Sequence, residues 1–137
     1  MKKLKQLTGL LLLASFLLLS SCAGVKYNAA SQFTNHQVHD QTIAVIDKAT
    51  TGYDSNTAAV TALKTAYTNA IAYEQGRGKT NFPTIEMWKQ LDRWVNTDVM
   101  TTWQTAKTLG ATAVSELKKR TDKLFDYLIT YEDYKIK

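Results

Sequence analysis

The sequence predicts an all-α protein, a four-helix up-down bundle. One proline and six glycines in 137 residues leave long stretches without a helix breaker. Apolar side chains recur at the three-to-four residue spacing of a helix face, and no strand pattern is evident.

A first helix is expected near residues 31 to 50, where Phe33, Val38, Thr42, Val45, Ile46 and Ala49 recur at steps of three to five. "TTGYDSN" ends it, with Gly52 as the expected cap and Asp54, Ser55 or Asn56 opening the next helix. The second helix is carried by Ala59, Leu63, Ala66, Tyr67, Ala70, Ile71 and Glu74 on one face. Gly76 and Gly78 close it, and Pro83 suits the first turn of a third helix, where its missing N–H costs nothing.

Beyond Ile85 two readings compete. At ~100° per residue, Ile85, Trp88, Val95, Val99, Trp103, Ala106, Leu117, Leu124, Leu128 and Tyr131 share one stripe, in phase across Gly110. Taken whole, that is a helical hairpin plus one long C-terminal helix of about 50 residues, ~75 Å long, which two shorter helices cannot cover without dimerisation. The favoured reading breaks the chain at "TLGAT", with Gly110 as a left-handed cap and Thr112 as the next N-cap. Four helices of similar length with short loops are what an up-down bundle requires.

The N-terminus carries an address. Lys2, Lys3 and Lys5 precede an apolar run from Leu7 to Leu19, which is the order of a secretory signal and too short to span a ~30 Å hydrocarbon core. Leu19-Ser20-Ser21-Cys22 then resembles the lipobox of bacterial lipoproteins. That resemblance implies cleavage before Cys22 and acylation of its sulfur, and it covers residues 1 to 22 only. Residues 1–21 are thus expected to be a cleaved signal peptide, 22–30 a lipidated N-terminus and tether, and 31–137 the helical domain. Cys22 is the chain's single cysteine, so it has no partner for a disulfide. Two or more acyl chains hold a protein stably on a membrane. Ala23 and Gly24 follow with no aspartate, which resembles the pattern of lipoproteins sent to the outer membrane, facing the periplasm.

Removing 21 of 137 residues leaves 116, enough for one domain. Three of the 17 basic residues leave with the leader, so 14 face 12 acidic ones and the net charge falls from +5 to +2. Nucleic acid is not an expected partner.

Catalytic patterns are thin: Cys22 is committed to lipid, no serine sits in a G-x-S-x-G turn, and no glycine-rich loop follows a strand. Glu74, Glu86, Asp92 and Asp98 read as parts of solvated helical faces. His36 and His39, with Asp40, share a helical face but fall short of a metal site, so no metal and no cofactor are expected.

The expected function is that of a membrane-anchored envelope lipoprotein, a non-enzymatic interaction module with an envelope protein partner. Trp94, Met87 and Leu91, off the core stripe, form the candidate contact face. The alternative is a carrier of a small apolar ligand between Trp88 and Trp103. Lys118, Lys119, Arg120 and Lys123 form a candidate basic patch for phosphate-bearing lipid or an acidic partner.

Overall fold

The computed structural model describes residues 26–135. It is 88% helical, with four helices and no strand among the described residues. The leader, the lipobox and Cys22 lie outside the described residues. No helix among the described residues is long and apolar enough to cross a membrane.

Helix α1 spans Ala29–Asp47, two residues earlier than its periodicity suggests. The Asn28 side chain caps it by accepting the Ser31 N–H at 2.9 Å. Short 3-10 turns, Lys48–Thr50 and Tyr53–Asn56, lead into α2, Thr57–Gly76. Gly78 then turns the chain at φ 98°, a conformation open almost only to glycine. A 3-10 turn at Lys79–Asn81 delivers it to α3.

Helix α3 has three segments: Phe82–Asp92, a π-helical stretch Arg93–Val99, and Met100–Ala106. The Met100 N–H bonds to the Val95 carbonyl, five residues back. That wider turn brings Met100 onto the buried face beside Val95 and Val99, where a regular helix would turn it away. Helix α4 spans Ala111–Asp133.

The long C-terminal helix is therefore excluded, and the break at "TLGAT" is real. Its chemistry differs from expectation. Lys107, not Gly110, takes the positive φ (66°), and Gly110 is the extended N-cap of α4 (φ −69°, ψ 152°) in place of Thr112. Two backbone bonds fix the loop: Tyr53 N–H donates to the Lys107 carbonyl at 2.9 Å, and Leu109 N–H to the Ala49 carbonyl at 2.7 Å. Residues 107–110 gain more from docking on the α1–α2 connection than from continuing the helix.

Each helix packs against its two neighbours around a square, α1–α2, α2–α3, α3–α4 and α4–α1. Trp88, Trp103, Tyr67, Phe125, Leu63, Ile46 and Leu128 are wholly buried between them. The phase does not carry across Gly110. The buried line of α4 is Val114, Thr121, Phe125, Leu128 and Glu132, while Ala106 is exposed and Leu117, Leu124 and Tyr131 are half-buried. Phe33 is also displaced: α1 buries Ser31 and Asn35 instead and leaves Phe33 in solvent.

Candidate functional site

The seam between α3 and α4 is where the sequence places its contact face. Trp94, the second residue of the π-helical stretch, is half-buried and packed against the core, as Met87 is two turns earlier. The Trp94 indole N–H donates to Thr121 Oγ1 at 3.1 Å, and the Arg120 guanidinium lies 3.9 Å over its ring. A tryptophan pinned through its N–H and covered by an arginine is a rigid, amphipathic surface element. Leu91 does not join it. Leu91 is buried in the core, because the stripe of α3 is wide enough to take in residues 84, 85, 88, 91 and 95.

The proposed ligand rings are core. Trp88 meets Tyr67 and Phe125 edge-on, at 5.6 and 6.0 Å between centroids, and Trp103 meets Tyr53 at 5.1 Å. The Trp103 N–H donates to the Thr51 carbonyl at 3.1 Å. Neither ring has exposed surface, so both are occupied by packing rather than held open for a guest.

The basic residues of α4 are divided among different partners. Lys118 reaches across to Asp47 of α1 at 2.6 Å, Lys119 pairs with Glu116 at 2.9 Å, and Arg120 turns the other way onto Trp94. Residues 118 and 120 are ~200° apart on a helix, which sends them to opposite seams. Lys123 is exposed. Asp122 sits 2.8 Å from His39 Nε2, whose Nδ1 is 3.0 Å from Asp40. His39 thus belongs to the α1–α4 seam, packed edge-on against Phe125 at 5.1 Å, while His36 points to solvent. Among the described residues no three His, Cys, Asp or Glu side chains are grouped to hold a metal.

The most elaborate polar constellation was missed from sequence. At the end of the bundle where α1 and α3 begin and α2 and α4 end, here called the base, Glu74, Glu132 and Lys135 are buried. Lys135 Nζ pairs with Glu132 and donates to Asn81 Oδ1 (3.1 Å) and Thr84 Oγ1 (2.8 Å). Arg77 Nη1 pairs with Glu74 at 2.9 Å and donates to Ser31 Oγ at 2.6 Å, and Nη2 donates to the Lys26 carbonyl at 2.9 Å. Asn28 N–H donates to Glu132 Oε1 at 2.8 Å, and Asn81 donates to Glu74. Two carboxylates and two cations balance, and every helix end at the base contributes. One signal was available: Glu74 continues the apolar face of α2, where a carboxylate survives only with partners.

No family model matches this chain, and no curated protein or solved structure is a match to it.

Proposed function

We propose that this chain is a small envelope lipoprotein, anchored through acyl chains on Cys22 at the outer membrane and facing the periplasm. Its helical bundle acts as a non-enzymatic module that binds an envelope protein partner. The observation that carries the reading is the lipobox-like Leu19-Ser20-Ser21-Cys22, closing an apolar leader behind three lysines. The α3–α4 seam is the contact face, because tryptophan and arginine are among the residue types enriched at interface hot spots and Trp94 and Arg120 stand together there. The carrier alternative is not retained, since Trp88 and Trp103 are buried and packed against Tyr67, Phe125 and Tyr53.

The address is tested by the mass of the full-length protein made in a two-membrane bacterium and extracted from its envelope. The expected product has lost residues 1–21 and gained a diacylglyceryl group, and Cys22→Ser abolishes the gain. An unmodified Cys22 in the native protein rules the anchor out. The face is tested by a photo-crosslinking amino acid at position 94, with position 61 on the exposed side of α2 as reference. A discrete adduct at 94 alone, weakened by Arg120→Glu, is expected; equal labelling at both positions refutes the seam.

A further inference from the structure

We infer that the base of the bundle rests on the lipid surface that holds the Cys22 acyl chains, with Phe33, Phe82 and Tyr134 as its contact points. The inference rests on the lipid-anchor reading above. Of the five large hydrophobics that stand exposed among the described residues, four gather near this end. Phe82 opens α3, Tyr134 follows α4, and Phe33 lies in the second turn of α1. Tyr73, in the last turn of α2, donates to Asn28 Oδ1 at 3.1 Å. Phe33, Phe82 and Tyr134 are 67%, 61% and 85% exposed, more than any core requirement explains. Tyr127 stands about 10 Å further up α4. The opposite end, formed by residues 48–56 and 107–110, carries none of the five.

Scattered exposed apolar residues are ordinary. What distinguishes these is where the chain leaves the bundle. Lys26 and Asn28 are fastened to the base, through Arg77 Nη2 on the Lys26 carbonyl and Glu132 on the Asn28 N–H. Lys26 is four residue steps from Cys22, so an acylated Cys22 lies within ~14 Å of the fastened backbone. A bundle helix of 20 residues is ~30 Å long, so so short a tether keeps the base, rather than the far end, at the lipid surface. The charge there is compatible. Glu74 and Glu132 are buried and paired, Asp133 accepts from Gln32 at 3.0 Å, and Lys26 and Lys79 stand exposed. Phenylalanine, tyrosine and lysine together are the set that settles at the headgroup level.

The test uses full-length lipidated protein in vesicles of phosphatidylethanolamine and phosphatidylglycerol carrying a lipid-borne spin label. A fluorophore is placed through Lys79→Cys at the base or Asp54→Cys at the far end. Quenching several-fold stronger at 79 than at 54 is expected. Phe82→Ser with Tyr134→Ser should bring position 79 towards 54, with flotation and helical circular dichroism unchanged. Protein that floats but is quenched alike at both positions overturns the inference and leaves the anchor standing. Unchanged quenching in the serine double variant overturns the role of the aromatics. Failure of the native protein to float takes down the anchor and, with it, this inference.

Discussion

Lys107 holds φ at 66°, a conformation that side chains bearing a Cβ resist by about 1 kcal/mol or more. Its carbonyl is held by Tyr53 N–H, so the strain is retained to dock the loop. Lys107→Gly should therefore raise stability by about 1 kcal/mol in urea unfolding, whereas Lys107→Ala should leave it nearly unchanged. Equal effects would mean that the exposed Lys107–Asp54 pair, 3.6 Å apart, matters more than the backbone. Tyr67 makes a second case. Burial pushes its hydroxyl well above the usual tyrosine range, against the smaller opposing effect of its hydrogen bond with Thr42, 3.1 Å away. The unfolded chain releases this proton near pH 10 while the folded one keeps it, so the contribution is complete below that pH and lost as pH rises above it. Stability should fall by up to ~1.4 kcal/mol per pH unit above about pH 10 on this account. Tyr67→Phe should remove that part of the slope; an identical alkaline slope in both proteins refutes it.

Among the elements, α2 was the most legible. Leu63, Tyr67, Ala70 and Glu74 follow one unbroken helical period, and all four are buried. The break at residues 107–110 was legible too, but its mechanism was not, since the docking bonds Leu109–Ala49 and Tyr53–Lys107 join positions far apart in the chain. The π-helical stretch has no signature in a fixed 100° wheel. It reveals itself only when Val95, Val99 and Met100 are all found inside. The same effect weakened the reading of the candidate face: Trp94 is placed by where the stretch begins, and Leu91 by the breadth of the stripe before it. On α1 the apolar period points to Phe33 over Ser31 and Asn35, because it takes no account of the partners that polar side chains find. Ser31 accepts from Arg77, and Asn35 donates to Gln32 at 3.3 Å.

For the molecule as a whole, the base joins all four helices through charges taken out of water. Such a cluster adds little net stability over an apolar plug, yet is costly to half-dismantle. Lys135→Met removes the nearest cation from Glu132, leaving the Asn28 N–H and Arg77, whose Nη1 is 3.8 Å from Glu132 Oε1. The expected loss is about 3 kcal/mol, read by urea unfolding at neutral pH. Adding Glu132→Gln to it removes the stranded charge while keeping an acceptor for Asn28 N–H, and should restore more than half of that loss. The interaction is buried, so these differences should persist at 1 M salt, where an exposed pair such as Lys119–Glu116 no longer counts. A neutral Lys135→Met would show that Arg77 alone neutralises Glu132. A double variant no more stable than the single one would show that lost packing, rather than stranded charge, is the cost. In either case Arg77 Nη2 still holds the Lys26 carbonyl, so Arg77→Met is the substitution that releases Lys26 while Asn28 stays bonded to Glu132.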